Sequence, residues 1–534
     1  MSDPVVHPEE GEQGPQLSTM EVIREEIVML KWRVLVFACF LTYGSYYIYD
    51  FPGAIGIGRY NSIEAKFFAH GLSYTEGMNQ SLYSVYSWPN TILAFFGGIL
   101  IDNILGLRKA MVLFCLLVLS GSIVFYIGVV YLKFPVMIFG RVLFGLGGES
   151  LSVAQSAFVA RWFKGGRGMA LAFGITISFA RVGSSFNFLF SPKIAKADGI
   201  DYAVLAGVFG CIFSLLSALV LVYCDYIGVK SGDVPPESKD TNPPFNFRDV
   251  ANLSPKFWLV SLICVTVYCA IFPFIGIAES FFQVKFNITD EDVASTYVSV
   301  YQFTCAGGSP VLGFLVDQVG RFTLGMILSG LCFTGIHLLM LATMTPAPAA
   351  MVLMGMVYSV LVSSLWPAVP YTCRQGEVGL AYGIMTAMQN TGLAIWPLIV
   401  GAILDPYTPA APPIPPLFSR CDNYTNDQAP MGTNLSWTWP NGTLAYPLGS
   451  LANCSNTTAA PLPAKEGFVY TQLFFIGTAG LGVLVGAVLF LVDKRSSGLL
   501  SAGPGPRAVL EKQRLAAYEE LDKERGLLLQ AEGA

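Results

Sequence analysis

Charge is what this sequence has little of. Asp, Glu, Lys and Arg together make up 13% of the chain, against about a quarter in a soluble domain. So few ions cannot cover a surface that meets water on every side, which excludes an ordinary soluble globule and points to an integral membrane protein. Histidine is nearly missing: His7, His70 and His337 are the whole complement. That is too few for a histidine metal centre, and His337, inside an apolar run, reads as a packing or interhelical hydrogen-bonding residue. The sequence has no P-loop, no H-E-x-x-H, no G-x-S-x-G and no zinc-type cysteine pair, so neither an enzyme nor a cofactor or metal is expected. A net charge of −5 gives no reason to expect nucleic acid. No cleavable leader is expected either. The first thirty residues are acidic and polar, and the first apolar run is too long for a leader's core, so the first span is expected to be an uncleaved anchor.

What is plentiful is apolar length. Runs long enough to cross a ~30 Å hydrocarbon core recur near 33–53, 80–103, 110–131, 135–160, 168–191, 202–224, 257–281, 291–317, 322–344, 348–371, 378–404 and 467–493. The polar stretch 225–256 divides them six and six. The expected fold is an all-α membrane protein, with twelve transmembrane helices in two six-helix bundles, 33–224 and 257–493. Around these lie an acidic N-terminal tail (1–32), the linker (225–256) and a polar C-terminal tail (494–534). With a cytosolic N-terminus, fifteen Lys and Arg fall on the cytosolic side and eight on the other, in the sense of the positive-inside rule.

The halves repeat. Gly98-Ile-Leu-Ile-Asp102, followed by Gly106 and Arg108-Lys109, joins the second and third spans. Gly313-Phe-Leu-Val-Asp317, followed by Gly320-Arg321, joins the eighth and ninth. The pattern resembles the loop motif of the major facilitator superfamily, and two copies at matching positions make the internal repeat expected of a transporter. Its parts suit a gating latch. Glycine lets helices approach, and Asp102 or Asp317 can pair with Arg108 or Arg321 in one arrangement of the bundles. A plain solvated turn is the alternative. The first copy has an extra residue before Gly106, which predicts a looser geometry there. Trp88-Pro89 and Trp366-Pro367 read as kinks at equivalent places of the two halves.

Two charges lie where few are tolerated. Glu149 and Arg181 each sit roughly ten residues from either end of a span, where a charge costs about 2.5 to 3.5 kcal/mol and usually faces a cavity or another polar group. The guanidinium fork suits a carboxylate and Glu149 suits an ammonium, which matches the two ends of an amino acid or short peptide. A structural Glu149–Arg181 ion pair is the alternative. Tyr43, Tyr47 and Asp50 share a helical face, with the tyrosines as cavity lining or interfacial anchors. Gln389 and Asn390 are candidates for substrate contact from the second half, or for interhelical polar contacts. Arg141 is expected to buttress the side away from the cytosol, and Glu279 to reach that interface.

The sequons at Asn79, Asn287, Asn423, Asn434, Asn441, Asn453 and Asn456 all fall on the non-cytosolic side, with only Asn252 on the other. Five lie in one insertion, 405–466, long for a loop without structure and read as a glycosylated luminal cap. Most cysteines lie in or beside spans as small packing residues. Cys421 and Cys454 share the insertion, where an oxidising lumen predicts a disulfide. In the tail, Glu524 with Leu528-Leu529 fits an acidic dileucine sorting signal, or the end of a frayed helix.

Longer strings narrow the family. Tyr86-Ser-Trp-Pro-Asn90, Gly147-Gly-Glu149-Ser-Leu, Ala180-Arg181-Val-Gly-Ser184, Phe272-Pro-Phe-Ile-Gly276, Leu365-Trp-Pro367 and Gln389-Asn390 with Gly392-Leu-Ala-Ile395 resemble one branch of the major facilitator superfamily. The similarity runs from residue 33 to 405 and resumes in the last span. The resemblance implies a lysosomal dipeptide uniporter working with a glycosylated accessory membrane protein, with Glu149 and Arg181 holding the ends of the peptide. The residues alone reach only a zwitterion and a membrane, the plasma membrane or another endomembrane being alternatives. Animal members of that branch lack the insertion and carry lysine in place of Glu279. The insertion is therefore expected to shield the chain from luminal proteases, as the accessory subunit does elsewhere. A proton-coupled symporter of an organic anion or amino acid, and a non-transporting receptor on the same fold, are the alternative functions. Assembly as a homodimer is left open.

Overall fold

The computed structural model describes residues 31–58, 60–99, 105–163, 169–231, 250, 253–373, 378–408, 435–439, 442–446, 463–514 and 516. The helices follow the apolar runs. They are α1 (Lys31–Gly56), the short α2 (Ile63–Ala69), α3 (Glu76–Ile99), α4 (Leu107–Val130), α5 (Phe134–Phe163), α6 (Met169–Asp198) and α7 (Ile200–Lys230) in the first half. The second half has α8 (Pro255–Phe286), α9 (Glu291–Val319), α10 (Phe322–Ala342), α11 (Ala347–Leu365), α12 (Val378–Leu404) and α13 (Lys465–Arg495), then α14 (504–514).

Among the described residues, nine helices are long and apolar enough to cross a bilayer. The more polar α3, α6 and α9 lie where polarity is tolerated. α3 packs along α12 and α6 along α9, so these helices line the seam between the bundles rather than lipid. The seam buries Asn79, Gln80 and Asn90 of α3, Ser184, Ser185 and Asn187 of α6, and Ser295 and Gln302 of α9. Buried amides and hydroxyls demand partners: Ser295 of α9 donates across the seam to Phe188 O of α6, Asn79 and Gln302 donate to Pro52 O and Asp50 of α1, and Asn90 donates to Tyr86 O of its own helix.

The repeat is visible in the packing. α4 lies on α5 as α10 lies on α11, α3 on α5 as α9 on α11, and α4 on α7 as α10 on α13. Both latch glycines adopt left-handed φ, +74° at Gly106 and +67° at Gly320, a conformation glycine enters without a Cβ clash. Their ψ values differ, 153° against −1°, so the chain leaves the two glycines in different directions. The Trp-Pro pairs correct the sequence reading. The partner of α3 in the repeat is α9 and that of α11 is α5, so the two kinks are not equivalent. α3 stays α-helical through Pro89, whereas α11 passes into a 3-10 turn, Trp366–Tyr371.

The segment after α13 does not leave the bundle. Leu499 and Leu500 are fully buried, and the Leu500 carbonyl accepts from the Thr323 N–H. Arg507 lies 3.8 Å over the Phe322 ring. Arg514 donates to the carbonyls of Tyr371, Pro370 and Cys373, closing the 3-10 turn at the end of α11. Inside the 405–466 insertion, read from sequence as an unstructured loop, a hairpin pairs β1 (Leu435–Trp439) with β2 (Gly442–Tyr446), Leu435 opposite Tyr446 and Trp439 opposite Gly442. Asp102, Cys421, Cys454, Asn423, Asn434, Asn441, Asn453, Asn456, Glu524, Leu528, Leu529 and the side chain of Asp317 lie outside the described residues.

Candidate functional site

The site is built on the far end of α1. Arg141 of α5, 1% exposed, donates to the carbonyls of Ile48 and Tyr49 at 3.1 and 2.9 Å and sits against the rings of Phe125, Phe144 and Tyr83. A cation on the last carbonyls of a helical stretch satisfies orphan acceptors and the helix dipole together. This is the buttress the sequence predicts, and it fixes Tyr46 and Tyr49 in space.

Two turns further along α5, Glu149 Oε1 accepts from the Tyr86 hydroxyl of α3 at 3.3 Å. Gly148 lets that ring lie close, since a Cβ there would meet the Tyr86 hydroxyl at 2.5 Å. Tyr49 packs edge-on to Tyr86 at 4.8 Å. On the neighbouring α6, Arg181 does not turn to Glu149. Its Nη2 crosses the seam and donates to the Tyr358 hydroxyl of α11 at 2.5 Å. The rings of Tyr46, Phe272 and Tyr358 lie 5.8, 5.6 and 5.1 Å from the guanidinium, within cation–π range. No Glu149–Arg181 ion pair forms among the described residues. Each charge instead holds a phenol, leaving further donors on Arg181 and the second oxygen on Glu149.

Other candidates fall elsewhere. Tyr43 packs against Phe40, Phe179 and Phe186 inside the first bundle, and the Tyr47 hydroxyl accepts from Ser191. The face of α1 toward Glu149 and Arg181 is that of Tyr46 and Tyr49, which corrects the sequence reading. Asn390 donates to Thr386 O within its own helix, and Gln389 accepts from Cys264, so both make helix contacts rather than joining the charged pair. Tyr46, Phe272 and Tyr358 were missed by sequence reasoning. The available signal was Tyr358 deep inside an apolar span, far from the interfacial belts where tyrosine gathers.

The bonds joining the bundles cluster on the side away from the N-terminus. Gln302 donates to Asp50, Ser295 to Phe188 O and Ser280 to Glu76. Gly77 N–H donates to Asp405 at 2.8 Å, and the N–H groups of Tyr60 and Asn61 to Glu291 at 2.6 and 2.8 Å. This end is closed. Glu64, on the loop helix α2, is raised well above the ordinary carboxyl range by burial first and by nearby Glu76 and Glu291, with the Gly58 N–H acting against them. Glu279 is buried here and accepts from Gln283. Asn79 is buried, its amide nitrogen committed to Pro52 O, which removes it from the expected glycan acceptors. Asn287 is exposed at the end of α8.

At the end of the bundles that carries the N-terminus, the latch residue Arg108 finds a partner the sequence did not offer. Its Nε meets Asp225 Oδ2 at 2.6 Å, with Arg161 at 3.5 Å and Trp162 Nε1 at 3.2 Å from the same fully buried carboxylate. In the second half Asp493 takes the matching place, with Lys256 at 3.7 Å and the Ser501 N–H at 2.9 Å. Arg321 is exposed.

Known proteins share both pattern and fold. A family model of the Major Facilitator Superfamily matches residues 35–397. The lysosomal dipeptide transporter MFSD1 of Danio rerio is 36% identical over 410 residues, 74% of this chain and 86% of that one. Its Homo sapiens counterpart is 37% identical over 382 residues, 70% of this chain and 79% of that one. Crystal structures of the nucleoside transporter NupG (TM-score 0.57, 12% identity, 86% of this chain and 99% of that one) and of a POT family transporter with a thioalcohol-conjugated peptide (0.57, 11%, 86% and 96%) share the fold. The apolar helices and the relatives make this a multi-pass membrane transporter rather than an enzyme, and a protein of the lysosomal membrane. The chain belongs to the major facilitator superfamily.

Proposed function

We propose that this transporter carries dipeptides from the lysosomal lumen to the cytosol as a uniporter, by rocking of its two bundles about the seam. Glu149 takes the amino end and Arg181 the carboxylate. The observation that carries this reading is that the two mid-span charges, on adjacent helices, are held apart by separate phenols instead of neutralising each other. A charge kept unneutralised in a membrane is used, and a zwitterion uses both signs at once. The dipeptide comes from the similarity to lysosomal dipeptide transporters. Arg108 with Asp225 acts as a cytosolic brace, and the latch loops bias which side opens. The glycosylated insertion shields the luminal face, in place of an accessory subunit.

The test is a thermal-shift screen of the purified protein with dipeptides and single amino acids, repeated with Glu149→Gln and Arg181→Ala. Dipeptides are expected to raise the wild-type melting temperature, and each variant to lose at least about tenfold in affinity, the worth of a charge-assisted hydrogen bond. Wild-type affinity in either variant would sink the two-ended clamp. Proteoliposomes loaded with a pH dye separate uniport from proton symport. Acidification of the trans side that follows substrate would exclude the uniporter.

A further inference from the structure

Arg181 ends a long, flexible side chain, yet its head group is tightly specified. One donor reaches across the seam to Tyr358 at 2.5 Å, and three rings cover its faces. Tyr358 is itself immobilised. It is 4% exposed, and its ring meets Tyr268, Phe272 and Tyr301, each at 5.9 Å in edge-on geometry. Tyr268 is pinned in turn by Trp366 Nε1 at 2.9 Å. The hydroxyl of Tyr358 is therefore placed by packing, and it dictates where the guanidinium fork points. A bidentate grip on a carboxylate depends on that orientation.

We propose that Tyr358 is a positioning residue for carboxylate recognition: it aims Arg181 and gives the second bundle its part in selecting cargo with a free carboxyl end. The proposal rests on the reading of Arg181 as the carboxylate site. The mechanism is preorganisation, in which ordering a long side chain before binding removes that entropy from the binding step. Tyr358→Phe keeps the ring over Arg181 and removes only the oxygen, so packing is preserved while the aim is lost.

The experiment measures affinities of purified wild type and Tyr358→Phe for one dipeptide, its C-terminal amide and its N-acetyl form. In wild type both caps weaken binding. In Tyr358→Phe the free dipeptide is expected to bind about fivefold to tenfold more weakly, the net worth of one ordinary hydrogen bond, while the amide binds as before. The acid-to-amide ratio shrinks, and the ratio reporting the amino end holds. Tyr301→Phe, which removes a hydroxyl from the same aromatic cluster and keeps the Arg181–Tyr358 bond, is expected to leave both ratios unaltered. An unchanged acid-to-amide ratio in Tyr358→Phe, or parallel collapse of both ratios, overturns the role of Tyr358 while leaving Arg181 in place. A wild type blind to the amide cap overturns the Arg181 reading and this proposal with it.

Discussion

The two membrane faces put their buried carboxylates to different use, while more exposed ion pairs, Lys66 with Asp201 and Lys196 with Asp290 and Asp292, lie on the face away from the N-terminus. On the side of the N-terminus, Asp225 with Arg108 and Arg161, and Asp493 with Lys256, join helices of the same bundle through buried carboxylates. On the opposite side, Glu291 and Asp405 accept backbone N–H groups, and Glu76 a serine hydroxyl, from the other bundle. The difference follows from what each bond must survive. In the proposed rocking motion a bond within a bundle persists, and a buried charge pair is strongly destabilised when one partner is lost. In that proposed cycle a bond between bundles must break, which single hydrogen bonds of about 1 to 3 kcal/mol and the exposed Lys196–Asp290 pair allow.

The largest effect is expected from Asp225→Ala. It leaves two guanidinium groups facing a buried void and is predicted to destabilise the fold by about 3 kcal/mol, read as a lowered melting temperature in detergent; an unaltered melt would erase the distinction between the faces. Glu291→Ala is predicted to spare global stability and open the luminal seam. Hydrogen exchange at residues 60–64 would then rise about tenfold, as losing roughly 1.5 kcal/mol requires. The smallest effect concerns pH. Because burial raises Glu64, its charged form opposes closure. Its penalty is absent below the ordinary carboxyl range, grows as pH rises toward the raised value, and is constant above it. The wild type is therefore expected to melt higher at pH 5 than at pH 7.5, with Glu64→Gln reducing that difference. A larger difference in the variant would reverse the sign assigned to Glu64.

The spans, the six-plus-six division and the two mid-span charges were legible because each carries a large solvation energy that tertiary context cannot hide. The aromatic half of the site was not. α1 presents tyrosines at 43, 46, 47 and 49, and apolarity on both faces of the helix leaves no periodic signal to say which one meets the charges. Asp225 was overlooked because a carboxylate near a span end looks solvated until two arginines from other helices are folded onto it. Asn79 looked like a sequon because the sequence reports the tripeptide and not its burial.

The packed segment beyond α13 bears on how the protein is made. Leu500, Arg507 and Arg514 hold Thr323, Phe322 and the end of α11, yet they are synthesised after the last span. The second bundle therefore enters the bilayer with this end unfinished. Its assembly is completed from the aqueous side, by residues that never pass through the membrane.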